Sequence, residues 1–319
     1  MRSMAFLTFR GGIHPYDGKD LSKNCPVEKY LPKGDLAILV SQHIGAPAKP
    51  IVKKGDHVLA GQKIAEAGGF VSAPIHSSVS GTVKGIEKRL TAVGAMGDAI
   101  IIENDGLYES VEYTPAKLSD LSKEDILKRI QEGGVVGQGG AGFPTHVKLS
   151  PKEPDKIDHI LVNGAECEPY ITSDYRRMME EPESVVGGLE VILKAFPKAV
   201  GCICIEDNKP DCIAKMKEAI KGKERMEVKE LKTKYPQGGE RTLIYAVTGR
   251  EINSTMLPAD AGCVVDNVET IISIYNAVVK GIPSMERVVT VTGDGVVNPG
   301  NYKVLFGTNQ NELIEAAGG

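Results

Sequence analysis

Gly137-Gln138-Gly139-Gly140-Ala141-Gly142-Phe143-Pro144-Thr145-His146-Val147-Lys148 is the stretch on which the reading of this 319-residue chain turns. The glycines at 137, 139 and 142 fit G-x-G-x-x-G. Such spacing lets the backbone approach a ligand closely and leaves N–H groups free to point at an anion such as phosphate. Lys148, six residues after the last glycine, offers a cation to the same site. The strong dinucleotide signal requires a strand directly before the loop. Here a helical pattern, Lys123–Glu132, precedes it with only Val135-Val136 before the first glycine. Alone, the loop reads equally as a flexible turn or a phosphate cradle.

Outward from the loop, the texture is α/β. Ile126, Leu127 and Ile130 recur at helical spacing, and Ser122 with Asp125 forms a capping-box pattern with Asp in place of Glu. A strand is expected at Ile157–Asn163, a helix at Pro182–Phe196, a buried strand at Ala199–Glu206 and a helix at Pro210–Ile220. Strands alternating with helices of this length imply a parallel sheet that binds ligands at the carboxyl ends of its strands. Asn163-Gly164-Ala165-Glu166-Cys167-Glu168-Pro169 follows such a strand. Its two carboxylates suit ribose or amide hydrogen bonds, with a solvated acidic turn as the plainer reading. Cys167 reads as a small filler, and Cys202 and Cys204 as one buried face of their strand. Further on, a helix is expected at Asn267–Val279, strands at Arg287–Thr292 and Asn301–Leu305, and a short helix at Asn309–Ala317.

The first hundred residues read as β structure: short apolar runs at Ala37–Ser41, His57–Ala60, Val79–Val83 and Ala99–Glu103, with Gly/Pro-rich turns between them. The length implies about two to three domains. A net charge of -4 and 5% aromatic residues with no Trp give no footing for nucleic acid. Met1–Arg10 lacks the pattern of a secretory leader, and no run of residues is long and apolar enough for a transmembrane helix. The six cysteines include no C-x-x-C pair, which fits a reduced chain and gives no spacing for an iron–sulfur cluster held within it. No histidine pair has metal spacing, so no metal site is expected.

Longer phrases carry family resemblances. Val52–Glu66 followed by Ser72-Ala73-Pro74-Ile75 and Ser77–Val83 resembles the lipoyl-type barrel-sandwich fold. The intervening Ala67–Val71 lacks that fold's modifiable Lys, so a structural or docking role is expected in place of a swinging arm. The glycine loop through Lys148, Asn163–Pro169, Tyr235–Glu240 and Asp266-Asn267-Val268-Glu269-Thr270 resemble the corresponding motifs of the NADH-oxidising flavin subunit of respiratory complex I. This chain departs from them at Ala165, Gly239 and Asp266, each replacing a residue of different polarity or charge. Phe9–Pro15, Ser41–Pro47 and Ser72–Gly81 are similar to the opening of the RnfC subunit of the Rnf-type ferredoxin:NAD oxidoreductases, and that resemblance runs through essentially the whole chain.

The resemblance implies three units. Residues 1–113 would be a barrel-sandwich hybrid (lipoyl-like) domain. Residues 114–283 would be an α/β, Rossmann-like domain for FMN and NADH. Residues 284–319 would be a β-grasp (soluble-ligand-binding) segment that stops before its final strands, as part of a longer subunit. It implies FMN contacts at Gly137, Gly139, Gly140, Lys148, Asn163, Glu166, Asp266, Asn267 and Thr270. Phe143 would stack on the nicotinamide nucleotide, and Glu168 and Glu240 would hold its polar groups. NAD(H) would be the substrate, with [4Fe-4S] clusters in ferredoxin-like sequence C-terminal to this segment. The other subunits of a membrane complex would be partners, and the chain would sit peripherally on the cytoplasmic face. Two other readings share these features: a cobalamin reductase of bacterial microcompartments, and an assembly scaffold with a vestigial flavin site.

Overall fold

The computed structural model describes residues 7–91 and 93–319. Met1–Phe6, which make up most of the segment read for a leader pattern, lie outside the described residues. After β1 (Val27–Lys29), the N-terminal lobe is built from β2 (Leu36–Leu39), β3 (Lys49–Pro50), β4 (His57–Val58), β5 (Lys63–Glu66), β6 (Ile75–His76), β7 (Gly81–Leu90) and β8 (Met96–Asn104). These strands make two antiparallel sheets, ordered β2-β8-β7-β4 and β3-β5-β6. Period-two alternation turns Leu36, Ile38, Ile64, Val83, Ile100 and Ile102 into a shared core between the sheets. The strand expected at Val79–Val83 begins at Gly81 and runs on to Leu90. Its outer half carries no buried residue, so alternation gives no sign of it in the sequence.

The central lobe runs α1 (Lys123–Glu132), α2 (Thr145–Lys148), β9 (His159–Gly164), α3 (Ser173–Glu180), α4 (Pro182–Ala195), β10 (Val200–Glu206), α5 (Pro210–Ala219), β11 (Met226–Leu231), α6 (Glu240–Thr248), β12 (Cys263–Asn267) and α7 (Val268–Tyr275), which continues as a π-helical turn over Asn276–Lys280. The strands form one parallel sheet, β11-β10-β9-β12. Alternation divides its side chains between two cores. Ile160, Val162, Ile203, Ile205 and Val264 pack with α1, α4, α5 and α7, while Leu161, Cys202, Cys204, Cys263 and Val265 pack with α6. The two cysteines of β10 are therefore core residues, and burial raises both thiols above their ordinary value.

Helix α1 starts where its cap dictates: Ser122 Oγ accepts the Asp125 N–H at 3.1 Å, and Asp125 Oδ2 accepts the Ser122 N–H at 2.9 Å. The helix expected from Asn267 instead starts at Val268. Asn267 ends β12 and caps α7, its Oδ1 accepting the Glu269 N–H at 2.9 Å.

The third sheet has the order β1-β14-β13, with β13 (Glu286–Val291) antiparallel to β14 (Gly300–Leu305), and α8 (Gln310–Ala316) packed beside them. Its outer strand comes from the other end of the chain, because β1 pairs parallel with β14 through Val27↔Asn301 to Lys29↔Lys303. Residues 27–29, grouped by sequence with the barrel, thus sit in the C-terminal sheet. Buried Asn301 fixes the junction: its Nδ2 donates to Ser22 O at 3.0 Å, and its Oδ1 accepts from Thr172 Oγ1 at 3.0 Å and Thr290 Oγ1 at 2.8 Å.

The α4–α7 contact behind the sheet depends on Gly188, where an added Cβ would fall 2.1 Å from Ile271 O and 2.7 Å from Ile271 Cγ2. A backbone oxygen cannot yield as a side chain can. Gly188→Ala is therefore expected to destabilise the chain by about 1–3 kcal/mol, the range for overpacking. Urea unfolding measures this, and an unchanged midpoint would contradict so close an approach.

Candidate functional site

Strands β9, β10 and β12 end on one edge of the parallel sheet, and the segments that follow them meet there. After β9, Asn163 Nδ2 donates to Gly238 O at 2.8 Å, and the Gly238 N–H donates to Cys167 Sγ at 3.2 Å. These bonds tie the Gly164–Glu168 turn to the turn that leads into α6. Glu166 and Glu168 then part company. Glu168 is exposed, whereas Glu166 adopts φ +48° and buries its carboxylate. Its Oε1 accepts the Asp174 N–H at 2.7 Å, and the buried Lys19 ammonium lies 4.0 Å from Oε2.

The glycine loop lies across the start of α7. The Gly137 N–H donates to Phe143 O at 2.9 Å, and the Thr145 N–H to Val135 O at 3.1 Å, closing the loop at its base. The Gln138 N–H donates to Thr270 Oγ1 at 3.0 Å, and Gln138 Nε2 to Ser273 Oγ at 2.7 Å. At Gly139 an added Cβ would stand 2.7 Å from Asn267 Cβ, so only glycine lets the loop rest on that residue. Gly142, at φ +67°, abuts the barrel: a Cβ there would meet Gln42 O at 2.8 Å and His43 Cα at 3.0 Å. The Ser41–Pro47 turn of the N-terminal lobe thus supports the far end of the loop. Between these anchors, the N–H groups of Gly139, Gly140, Ala141 and Gly142 form no hydrogen bond among the described residues. Gly139, Gly140 and Ala141 are exposed, and Phe143 is half-buried.

Lys148, at the end of α2, reaches the last turn of β12 and not the loop. Its Nζ donates to Val265 O at 2.7 Å and lies 3.2 Å from Asp266 Oδ1 and 3.9 Å from Glu240 Oε1. Burial works to lower its pKa, but Asp266 and Glu240 together hold it above the ordinary value, so the ammonium stays charged. Burial raises the Asp266 carboxyl, with Lys148 offsetting that shift, and neither carboxylate oxygen accepts a well-formed hydrogen bond. Glu240, half-exposed at the start of α6, is raised by burial as well.

A second group of acids lies beneath Asn267. Asn267 Nδ2 donates to Asp174 Oδ2 at 2.6 Å, and Arg177 Nε is 2.8 Å from Glu269 Oε2. Burial pushes Asp174 up to about 7, with Glu166 adding to the shift. Burial also pushes Glu269 to about 7 despite the Arg177 guanidinium. Of the residues singled out from sequence, Gly137, Gly139, Gly140, Lys148, Asn163, Asp266, Asn267, Thr270 and Glu240 gather along this edge. Glu166 lies under it, reached through Asp174. Sequence reading missed Gln138, Asp174, Arg177, Glu269 and Arg287. Asp174 and Arg177 fall in Ser173–Glu180, a segment without a motif in the sequence, and Arg287 falls in a segment read only as a strand.

The fold joins an α/β domain with a parallel sheet to a barrel-sandwich hybrid. Residues 130–276 match the family model of the Nuo51 FMN-binding domain, and residues 7–107 that of the RnfC barrel sandwich hybrid domain. The chain is 46% identical over 314 residues to the C subunit of the proton-translocating ferredoxin:NAD(+) oxidoreductase complex of Clostridium ljungdahlii, spanning 98% of this chain and 68% of that protein. It is 44% identical to the Na(+)-translocating counterpart of Acetobacterium woodii, spanning 98% of this chain and 71% of that protein. A crystal structure of NAD+-reducing [NiFe]-hydrogenase in the H2-reduced state shares the fold, with TM-score 0.53 and 22% identity over 66% of this chain and 45% of that one. The chain belongs to the RnfC family, the C subunits of the ion-translocating, Rnf-type ferredoxin:NAD+ oxidoreductase complexes, which are electron-transport oxidoreductases. Among the described residues, no helix is long and apolar enough to cross a membrane.

The half-buried, desolvated Asp174 makes a linkage prediction. Its folded value of about 7 lies above the ordinary 3.8, so between those pH values the folded chain keeps a proton that the unfolded chain has released. Stability should therefore fall as pH rises through that window and level off above it. In Asp174→Asn that fall should be smaller, as read by denaturant unfolding at about pH 4.5 and 7.5. An equal fall in both proteins would show that Asp174 titrates normally.

Proposed function

We propose that the carboxyl edge of the parallel sheet holds FMN and that the chain accepts electrons from NADH there, for delivery to iron–sulfur clusters and ferredoxin within an ion-translocating complex. The observation that carries this reading is the row of four N–H groups from Gly139 to Gly142, without acceptors among the described residues, that starts where Gly139 rests on Asn267, the cap of α7. Successive free N–H groups beside a helix start suit a phosphate. The rest of the edge fits a flavin in kind. Lys148 and Glu240 present a cation and an anion, Asn163 an amide, and buried Asp266 has carboxylate oxygens without well-formed hydrogen bonds.

In this reading Gly137, Gly139 and Gly140 give the backbone its close approach, while Asn267 and Thr270 hold the loop in register. Lys148, Asn163 and Asp266 orient the ring system, and Glu166 supports the floor through Asp174. Phe143, half-buried at the loop's exit, supplies an apolar surface for the nicotinamide nucleotide, and exposed Glu168 and Glu240 supply acceptors for its hydroxyl or amide groups. When bound, FMN supplies the conversion of a two-electron hydride donor into single-electron transfers. The protein binds, orients and sets the charge around it. Ala165 and Gly239, where the complex I motif has acids, leave Glu240 and Asp266 as the carboxylates beside Lys148.

We read the central sheet as Rossmann-like and the β1-β14-β13 sheet as a β-grasp element. The barrel would serve as a docking lobe, with the chain peripheral on the cytoplasmic face of the membrane. The [4Fe-4S] clusters that take the electrons onward would be held outside the flavin site, whose described residues include no group of side chains placed to hold a metal.

Reconstitution with FMN followed by anaerobic NADH titration tests the reading, with bleaching of the flavin band as the signal. Lys148→Ala is expected to weaken FMN uptake by about 10-fold or more, the scale of a lost charge-assisted contact. Glu168→Ala should leave uptake intact but raise the NADH concentration needed for bleaching. Wild-type behaviour in both variants would remove the site from this edge of the sheet.

A further inference from the structure

The Lys148 ammonium is engaged by Val265 O and Asp266 at the end of β12, away from the free N–H groups of the loop. A phosphate dianion seated on Gly139–Gly142 would then draw no hydrogen bond from Lys148 in this arrangement, and two acids lie on the elements under the loop. Asp174 bonds Asn267, the residue on which Gly139 rests, and Glu269 lies in the first turn of α7. One cation does touch the loop, and it comes from the third sheet. Arg287, the second residue of β13, donates from Nη2 to Gln138 O at 3.1 Å, across 149 residues of sequence. Its side chain also interacts electrostatically with both Asp174 and Glu269. Arg287 is exposed, and its Nε and Nη1 groups have no hydrogen-bond partner among the described residues. A guanidinium anchored through one nitrogen, with further N–H groups free beside a row of free backbone N–H groups, has the donor geometry that phosphates select.

We propose that Arg287 is the cationic phosphate ligand of the flavin site, an inference that rests on the FMN reading above. The C-terminal sheet is then part of the cofactor site and not only a neighbour of it. Anchored to Gln138, the side chain lies against the loop before a ligand arrives, so little side-chain entropy is lost on binding. It also lowers the electrostatic cost of the Asp174 and Glu269 carboxyls, with which it interacts. Selectivity follows from the same contact. FMN and riboflavin share the ring and the ribityl chain and differ only in the phosphate, so the Arg287 contact contributes to one and not the other.

The test measures the affinities of the apo-protein for FMN and for riboflavin by quenching of flavin fluorescence, in wild type, Arg287→Ala and Arg287→Lys. Wild type is expected to prefer FMN. In Arg287→Ala that preference should shrink by about 10–100-fold, the scale of a charge-assisted hydrogen-bonded contact, with riboflavin affinity unchanged. Arg287→Lys should recover part of it, because the charge returns without the fork. An unchanged FMN-to-riboflavin ratio in Arg287→Ala overturns the proposal. So does an equal loss for both flavins, which would make Arg287 only a support for the loop carbonyl. Thermal melts of the variants separate such losses from unfolding, and Arg287→Lys, which keeps the stem and charge, gives the same ratio test if the alanine variant does not fold. A wild type that takes up neither flavin overturns the FMN reading itself, and this inference with it.

Discussion

The contact between Gly139 and Asn267 is the constraint from which the site follows. Asn267 is at once the last residue of β12, the cap of α7 and the surface on which the loop lies, and each role fixes the others. Its Oδ1 is committed to the Glu269 N–H and its Nδ2 to Asp174, so the side chain has no freedom to move aside. A Cβ at position 139 would push into a residue that is held from two sides. The glycine therefore sets how closely the loop approaches the sheet edge, and the Gln138–Thr270 hydrogen bond sets its register along α7. The free donors of the loop follow from this seating: once Gln138 is anchored, the N–H groups of Gly139–Gly142 have no acceptor among the described residues.

Charge around that contact is arranged in two tiers. Lys148, Asp266 and Glu240 form a cluster at the end of β12 in which the cation is held charged by two acids. Asp174 and Glu269, beside Asn267 and on α7, are desolvated, and burial pushes both up to about 7. Bringing carboxyls this far out of water opposes folding unless they are neutralised or paired. Arg177 pairs with Glu269 from within the central lobe. Arg287 reaches the same acids from the C-terminal sheet, and that sheet in turn incorporates β1 from near the N-terminus. The barrel closes the arrangement from the other side, where Gln42 and His43 meet Gly142. All three lobes thus converge on six residues of loop.

How much of this was legible in sequence varied with the range of the forces involved. Helix α1 could be bounded to the residue because its capping box is local. The strands β9 and β10 followed from their short apolar runs, and the glycine spacing together with Asn163–Pro169 pointed to the carboxyl edge of the sheet. Segment α3 hid its role because Tyr175, Arg177 and Met178, its buried residues, look like a polar surface when mixed with Asp174 and Arg176. The junction at Asn267 was misread by one element because an apolar strand running directly into an apolar helix leaves no turn residue between them. Strand β1 has three residues and takes its partner from the far end of the chain, a pairing no local pattern announces. Arg287 was invisible for the same reason, since its partner lies 149 residues away.

The central claim is that FMN binds on the seam between the glycine loop and the start of α7. Hydrogen–deuterium exchange of the apo-protein, with and without saturating FMN, tests it most directly because the loop N–H groups are the proposed ligands. Slowed exchange concentrated in residues 137–142 and 266–270 is the predicted result. Saturable FMN binding that leaves both segments exchanging at their original rates, with protection elsewhere, would contradict the account.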